Sequence, residues 1–193
     1  MDAHRRRIAD AVLAAGRAHD AREIDRLRRF RNIEPDSAEL LGVLVRAMHA
    51  KRILEIGTST GYSTIWLADA AEATGGAVTS VEIDPERVAA AAKNLADAGL
   101  NVELRNDDGA HVLEASPDAS WDFVFLDAER DPYVQYWPHV LRVLRPHGGM
   151  LAIDNVLTHA SQVAEVTALI EAEPSVTTVS VPSGAGLRLV VRG

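Results

Sequence analysis

The sequence predicts a doubly wound α/β fold, in which helices cover both faces of a mostly parallel sheet of seven strands. Three observations support this fold class. Short apolar runs alternate with amphipathic stretches from residue 52 to residue 172, and such alternation requires parallel strands joined by crossover helices. A glycine turn from Gly57 to Gly61 separates the first apolar run from the first of these helices. Two β-rich runs around a Ser-Gly-Ala-Gly connection end the chain and add one antiparallel strand.

The first fifty residues are predicted to be helical. Apolar residues at helical spacing between residues 3 and 31 indicate two helices with a break near Gly16. Pro35 stops the chain, and Asp36 or Ser37 caps a third helix that runs to about Met48. We therefore expect one domain over residues 1–193, with an N-terminal helical cap (1–50) and an α/β core (51–193).

The core is predicted to alternate strands with helices, and its last two strands form a hairpin. The strands are expected at 52–56, 77–82, 102–105, 123–126, 150–153, 176–181 and 187–191. The intervening helices are expected at about 61–72, 85–98, 110–115, 134–144 and 161–172. Asp84 caps the second of these helices, and Gly99 ends it.

Composition excludes several classes of protein. The formal net charge of −8 argues against a nucleic-acid-binding protein, which would carry a basic face. The chain has no cysteine, so it has neither disulfides nor thiolate metal sites. The apolar N-terminal stretch is interrupted by charged residues, so we expect neither a signal peptide nor a membrane span. A cytoplasmic protein without a membrane partner is the default expectation.

The candidate functional residues follow the ends of the predicted strands. Ligands of open α/β sheets bind outside the carboxyl ends of the strands. Five successive strand ends carry acidic, amide or glycine residues: Glu55 and Gly57, Glu82, Asp107 to Gly109, Asp127, and Asp154 with Asn155. This concentration predicts one site along that edge of the sheet.

Glu82 indicates an adenosine-containing ligand. It lies about as far beyond the glycine turn as the carboxylate that accepts hydrogen bonds from both ribose hydroxyls in dinucleotide folds. The alternative is a solvated carboxylate at a strand end. The turn lacks the third glycine of the dinucleotide fingerprint, so a ligand other than NAD is favoured.

Two further groups of residues can each be interpreted in two ways. Asp127, Asp154 and Asn155 are hard oxygen ligands that suit Mg²⁺, although Asp154 and Asn155 are also common turn and capping residues. The arginine cluster at 26–31 is either a solvated helix face or a contact for a partner or an acidic substrate.

Four stretches resemble a known family: LEIGTSTGYS, VEIDPERVAAAAKNLADAGL, FVFLDAERDPYVQY and AIDNV. They are similar to the cation-dependent O-methyltransferases related to catechol and caffeoyl-CoA O-methyltransferase, over roughly residue 34 to the C-terminus. The resemblance implies a Rossmann-like methyltransferase core with S-adenosylmethionine as the adenosine ligand. It also implies a divalent cation, a small catechol-like hydroxyl acceptor and a homodimer.

The resemblance implies a role for each matching residue. Glu82 would hold the ribose, Gly57, Tyr62 and Ser63 the methionine end, and Asp108, Gly109 and Ala110 the adenine. The full set of implied cofactor contacts is Glu55, Gly57, Thr58, Ser59, Gly61, Tyr62, Ser63, Glu82, Ile83, Asp108, Gly109, Ala110 and Asp127. Asp127, Asp154 and Asn155 would hold the cation, and Asp127, Arg130 and His159 form the implied catalytic set.

One departure from the family bears on mechanism. The usual Asp-Ala-Asp-Lys motif, whose lysine is assigned as the base, reads Asp-Ala-Glu-Arg here, and Arg130 cannot accept a proton. Three explanations are open. The cation alone makes the acceptor acidic enough while Arg130 stabilises the phenolate, or another residue, His159 or Glu129, is the base. In the third, the acceptor is unusual or catalysis is weak. A metal-independent methyltransferase and a catalytically idle S-adenosylmethionine-binding protein stay open as alternatives.

Overall fold

Seven strands form a single sheet in the computed structural model, which describes all residues from Met1 to Gly193. The strands are β1 (Arg52–Ile56), β2 (Ala77–Glu82), β3 (Glu103–Asn106), β4 (Phe123–Leu126), β5 (Met150–Ile153), β6 (Val176–Val181) and β7 (Leu187–Arg192). Their order is β3-β2-β1-β4-β5-β7-β6. Only β7 runs against its neighbours, β5 and β6. The predicted fold class is therefore confirmed, including its one antiparallel strand.

Seven α-helices cover the two faces of the sheet. They are α1 (Ala3–Asp20), α2 (Pro35–Ala47), α3 (Tyr62–Thr74), α4 (Pro85–Asp97), α5 (Gly109–Ala115), α6 (Tyr133–Val143) and α7 (Ala160–Ala172). Side chains alternate along each strand, so Ile53 of β1 packs with α1 to α4 while Leu54 packs with α5 to α7. No helix combines the length and the apolar character that crossing a bilayer would require.

The predicted break near Gly16 is wrong, because α1 continues through this glycine to Asp20. Gly16 serves close packing instead: a Cβ there would lie 2.4 Å from Nδ2 of Asn32. The second predicted helix is only a 3₁₀ turn at Arg26–Arg28. The backbone N–H groups of Phe30 and Arg31 donate to the Asp20 carboxylate, at 2.7 and 2.8 Å, so they are not available to a helix.

Helix boundaries in the core agree with the sequence to within about two residues, as is usual for helix ends. Asp84 caps α4 as predicted, since its carboxylate accepts the N–H of Glu86 at 2.8 Å. The cap predicted for α2 is wrong, because Pro35 is itself the first helical residue and Glu34 occupies the cap position. A proline fits there because its ring fixes a helical φ and its missing N–H would have had no helical acceptor.

Asp122 fixes the point at which β1 enters the sheet beside β4. Asp122 is 5% exposed, and its carboxylate accepts the backbone N–H groups of Lys51 and Arg52, at 2.9 and 3.0 Å. The guanidinium groups of Arg52 and Arg145 lie 3.4 and 3.6 Å away. Burial opposes ionisation of Asp122, but these hydrogen bonds and charges outweigh it and lower the pKa of the carboxyl.

We expect Asp122→Ala to lower the free energy of unfolding by about 1–2 kcal/mol at pH 7, because it removes the buried acceptor of the backbone N–H groups of Lys51 and Arg52. Because the pKa of Asp122 is lower in the folded than in the unfolded state, its ionised form adds stability. This stability is fully present above the unfolded-state pKa of about 4, and it is lost as the pH falls from there through the lower folded-state pKa. The difference between variant and wild type, measured by urea denaturation, should therefore shrink at pH 3. Asp118→Ala, which removes an exposed partner of Arg142, should cost less than about 0.5 kcal/mol. Equal losses for the two variants would contradict this role of Asp122.

Candidate functional site

A cavity of about 710 Å³ lies at the carboxyl ends of the central strands. Its floor includes residues that follow β1, β2, β4 and β5. β1 is flanked by β2 on one side and β4 on the other, so the chain order of the strands reverses at this point. Ligands of doubly wound sheets bind at such a switch point, and the volume is that of a small-molecule site.

The turn after β1 touches the backbone that follows β4. Gly57 has φ +105°, and a Cβ there would lie 2.1 Å from the carbonyl oxygen of Asp127. Gly61, which precedes α3, has φ +87° and lies close to Ala91. Only glycine combines these positive φ angles with this packing. The glycine turn predicted from the sequence is therefore required by the fold itself.

A buried carboxylate supports this turn from beneath. Glu55 is fully buried and accepts hydrogen bonds from Ser63, Thr64 and Ser80, at 2.5, 2.5 and 2.6 Å. Thr58 Oγ1 lies 2.5 Å from the Ser80 hydroxyl. Burial raises the pKa of Glu55 to about 7, although the three hydroxyls oppose the shift. Because Ser80 gives its proton to Glu55, Thr58 must donate to Ser80, and the network joins β1, β2 and α3.

The predicted cofactor residues divide into two groups. Seven of them line the cavity: Gly57, Ser59, Glu82, Ile83, Asp108, Gly109 and Asp127. The others do not line it, namely Glu55, Thr58, Gly61, Tyr62, Ser63 and Ala110. Glu55, Thr58 and Ser63 belong to the buried network. The side chain of Tyr62, the first residue of α3, packs in the core between the sheet and α1 to α4.

Glu82 presents an oriented carboxylate to the cavity. It is 6% exposed, and its two oxygens accept the backbone N–H groups of Ser59 and Asp84, at 2.9 and 3.1 Å. A carboxylate has about four acceptor positions, so each oxygen can accept a further hydrogen bond from a ligand. The sequence-based expectation that Glu82 faces the site agrees with this position.

The three predicted metal ligands converge beside the turn. The N–H of Asp127 donates to Ile56 and that of Asp154 to Leu126, at 2.9 and 3.1 Å, which places the two carboxylates on adjacent strand ends. Asn155 adopts φ +66°, and its Nδ2 lies 3.2 Å from Asp127 Oδ1 and 2.7 Å from Asp154 Oδ2. All three residues line the cavity.

The electrostatics of this group favour a bound cation. Burial, together with the charges of Asp154 and Glu55, raises the pKa of Asp127 well above its usual range. Burial raises the pKa of Asp154 to about 6, and Asp154 Oδ1 has no hydrogen-bond partner. Two carboxylates at one point fit the ligand preference of a hard divalent ion, and Asn155, whose Nδ2 donates to both here, could supply its amide oxygen by rotating its amide group.

The predicted catalytic residues Arg130 and His159 also line the cavity. Arg130 is 5% exposed, and its one side-chain hydrogen bond joins Nε to Gln162 Oε1 at 2.7 Å. His159 precedes α7, and its Nδ1 lies 3.0 Å from Thr158 Oγ1. Partial burial lowers the pKa of His159, and the positive charges of Arg130, Arg26 and Arg31 lower it further.

Residues 26–34, here called the arginine strap, form a wall of the cavity, and the sequence did not predict the path that they follow. Ser59 Oγ donates to the carbonyl of Phe30 at 2.8 Å, and Arg87 donates to the carbonyls of Leu27 and Arg29 at 2.6 and 3.1 Å. Eight of its nine residues line the cavity: Arg26, Leu27, Arg29, Phe30, Arg31, Asn32, Ile33 and Glu34. The cluster of arginines is visible in the sequence, but no local pattern in the sequence indicates the path of the strap along the cavity.

The connection between β6 and β7 also reaches the cavity, through Ala185. The N–H groups of Val156 and Leu157 donate to the carbonyls of Gly186 and Ala185, at 3.1 and 3.2 Å. The connection therefore holds the loop that follows Asn155. From the sequence it was expected only to join two strands.

Comparisons with known proteins agree with this architecture. Residues 18–192 match the family model described as O-methyltransferase. A catechol O-methyltransferase from Niastella koreensis is 37% identical over 131 residues, which are 65% of this chain and 58% of that protein. One from Mycobacterium tuberculosis is 34% identical over 80% of this chain and 69% of its own length. The O-methyltransferase from Bacillus cereus, solved in complex with SAH, has a TM-score of 0.79 and 27% identity, with 96% of this chain and 90% of that chain covered.

The chain belongs to the O-methyltransferase family. The predicted family is thereby confirmed, and so are the enzyme class and the methyl donor: an S-adenosylmethionine-dependent O-methyltransferase. The homodimer and the cytoplasmic location stay predictions.

Because the carboxylates of Asp127 and Asp154 oppose each other, we expect Asp154→Asn to stabilise this O-methyltransferase when a chelator is present. The raised pKa of Asp154 means that ionising it costs folding free energy. The cost is absent below about pH 4, the unfolded-state value, and is complete above about pH 6. At pH 7.5 the variant should gain about 1–3 kcal/mol, and at pH 4 the gain should nearly vanish. Thermal unfolding in the presence of EDTA measures both, and a loss of stability at pH 7.5 would contradict the electrostatic account.

Proposed function

We propose that this O-methyltransferase methylates one hydroxyl of a small vicinal aromatic diol and uses a divalent cation, preferably Mg²⁺, held by Asp127, Asp154 and Asn155. The observation that supports this proposal most directly is the pair of carboxylates at the cavity wall, half-buried Asp127 and buried Asp154, of which Asp154 Oδ1 has no hydrogen-bond partner. The relatives named catechol O-methyltransferase support the acceptor class.

The cofactor half of the cavity suits S-adenosylmethionine. Glu82 accepts both ribose hydroxyls, since its two oxygens are already oriented by the N–H groups of Ser59 and Asp84. Asp108 and Gly109 lie along the adenine at the end of β3. Gly57 allows the ligand to approach the backbone closely, because it has no side chain. Glu55, Thr58 and Ser63 hold the turn in place from below through their hydrogen-bond network.

The acceptor half of the cavity has to position a hydroxyl group and to promote the loss of its proton. When bound, a divalent cation lowers the pKa of a coordinated hydroxyl and fixes its orientation. Methyl transfer then depends mainly on proximity and alignment with the donor. Asp127 and Asp154 supply the negative charge for the cation, and the rigid strand ends that carry them fix its place in the cavity.

The structure bears on the choice of base. Glu129 is a poor candidate, because its carboxylate accepts hydrogen bonds from Arg31 and Arg26 at 2.5 and 3.1 Å. Burial raises the pKa of Glu129, but these arginines outweigh it and lower the pKa, which makes the carboxylate a weaker base. His159 is the better one: its lowered pKa keeps it neutral at pH 7, and with Nδ1 donating to Thr158 its Nε2 is free to accept a proton. Arg130 cannot accept the proton and acts on the acceptor only through its charge.

The function is tested by calorimetric titration with S-adenosylhomocysteine, followed by methyl transfer to a panel of catechols with Mg²⁺ or with EDTA. We expect both the wild type and Asp154→Asn to bind S-adenosylhomocysteine. Only the wild type with Mg²⁺ should transfer the methyl group, and the variant should lose ~100-fold or more, beyond what an outer-shell substitution costs. Transfer that survives EDTA would favour a metal-independent methyltransferase. Binding without transfer to any catechol would favour another acceptor or an idle binding protein.

Glu82→Gln should weaken S-adenosylhomocysteine binding ~10- to 100-fold, because the amide cannot accept hydrogen bonds from both ribose hydroxyls while it accepts those of Ser59 and Asp84. Glu86→Gln is the matched control, since Glu86 is exposed on α4 and does not line the cavity. Calorimetry on the two variants, with thermal unfolding to check the fold, measures the effect. Unchanged affinity in Glu82→Gln would remove its ribose role.

A further inference from the structure

Arg130 is a buried cation without an ion-pair partner. Only two arginines of the chain are buried, Arg130 at 5% and Arg188 at 7% exposure. Arg188 pairs with Glu171 at 2.7 Å, as a buried guanidinium normally requires. Arg130 has no carboxylate oxygen within 4.0 Å, and its one side-chain hydrogen bond, from Nε, goes to the neutral Gln162. Its two terminal nitrogens are therefore available to a group in the cavity.

The arginine strap adds further positive charge to the same wall. Arg26 and Arg31 share one carboxylate, that of Glu129, with N–O distances of 3.1 and 2.5 Å. Arg31 Nε is buried and has no hydrogen-bond partner. Three guanidinium groups thus face one carboxylate at this wall. Such an excess is unexpected in a chain whose formal net charge is −8.

No other carboxylate of the cavity pairs with these three arginines. Glu82, Asp84, Asp107 and Asp108 line the cavity at or after the ends of β2 and β3, and each has a partner elsewhere. Arg29 and Arg87 have backbone acceptors, which fix the strap itself. Asp127 and Asp154 lie beyond ion-pair distance from Arg130, and under the proposed function their charge is taken up by the cation. Glu34 lines the cavity but pairs with Arg17 at 2.7 Å. An anionic group on a ligand would therefore meet, at this wall, guanidinium donors that the carboxylates of the protein leave unused.

We infer that the natural acceptor is a vicinal diol that carries a separate anionic group, a carboxylate or a phosphate, and that Arg26, Arg31 and Arg130 bind this group. The inference rests on the proposed function and names its acceptor class. Arginine presents a planar fork of donors that matches both kinds of oxyanion. The diol end lies toward Asp127 and the anionic end toward the strap, so these arginines select the acceptor and fix its orientation.

The first experiment compares acceptors that differ in charge. The probes are 3,4-dihydroxybenzoate, its neutral methyl ester and (3,4-dihydroxyphenyl)phosphonate, assayed for methyl transfer with S-adenosylmethionine and Mg²⁺. We expect the kcat/KM of an anionic probe to exceed that of the ester ~10-fold or more, the usual strength of a charge-assisted hydrogen bond. The better of the two anions identifies carboxylate or phosphate as the recognised group. An ester that is methylated as well as both anions would overturn the inference.

The second experiment changes the charge of the wall in both directions. Arg26→Gln and Arg31→Gln should each lower the preference for the anion several-fold, whereas Glu129→Gln should raise it, because it frees both arginines from their shared carboxylate. Opposite signs cannot come from general damage to the fold. Arg28→Gln is the matched control: Arg28 belongs to the strap and is exposed, but it does not line the cavity. The preference should stay unchanged in this control.

A binding measurement separates this inference from the proposed function. The affinities of 3,4-dihydroxybenzoate and of its ester for the complex with S-adenosylhomocysteine are measured by calorimetry, with Mg²⁺ and with EDTA. Tighter binding of the acid, reduced in Arg130→Met and in Arg31→Gln, supports the arginine site even if no probe is methylated. Methyl transfer to the ester and the acid alike, with equal affinities for both, would leave the function standing and reject the anionic acceptor.

Discussion

The contact between two backbones at the centre of the sheet shapes the site. Gly57 packs directly on the carbonyl of Asp127, so the turn after β1 and the loop after β4 share one boundary. A side chain at position 57 would separate them and move the carboxylate of Asp127 relative to the cofactor half of the cavity. The buried network around Glu55 holds the turn from one side, and the Tyr133 hydroxyl, bonded to both backbone groups of Ala128, holds the loop from the other. The site is rigid because both of its halves rest on this contact.

The fold and the strand-end residues could be predicted because their signals are local. Apolar runs separated by glycine turns define the strands, and parallel strands bring their carboxyl ends to one edge. Glu82, Asp127, Asp154 and Asn155 therefore had to lie near one another in any doubly wound sheet built from these runs. The structure adds what spacing cannot supply, namely that the Glu55 carboxylate is sealed beneath the turn while that of Glu82 faces the cavity. Glu55 pairs with Ser80 in the register of β1 and β2, so Glu82 lies two residues nearer the carboxyl edge of the sheet, while Ser63 and Thr64 of α3 cover Glu55.

The features that the sequence did not reveal depend on contacts between distant segments. Helical spacing continues through residues 26–31, but the Asp20 carboxylate takes the N–H groups that a helix would need. Gly16 resembled a helix break and is instead a site of close packing against Asn32. The arginine cluster was ambiguous for the same reason, since its meaning depends on Glu129, about a hundred residues away in the chain. Local propensity is overridden here by partners that no window of sequence contains.

The way in which the arginine strap is attached has a consequence for how this enzyme can diversify. Most of its anchoring hydrogen bonds use backbone atoms: the carbonyls of Leu27, Arg29 and Phe30, and the N–H groups of Phe30 and Arg31. Side chains that project from the strap into the cavity can therefore be exchanged while the strap stays attached. The carboxylates at the strand ends have no such freedom, because they belong to the sheet. Evolution, or an engineer, can thus vary the preferred acceptor along one short, replaceable segment and leave the methyl-transfer machinery untouched.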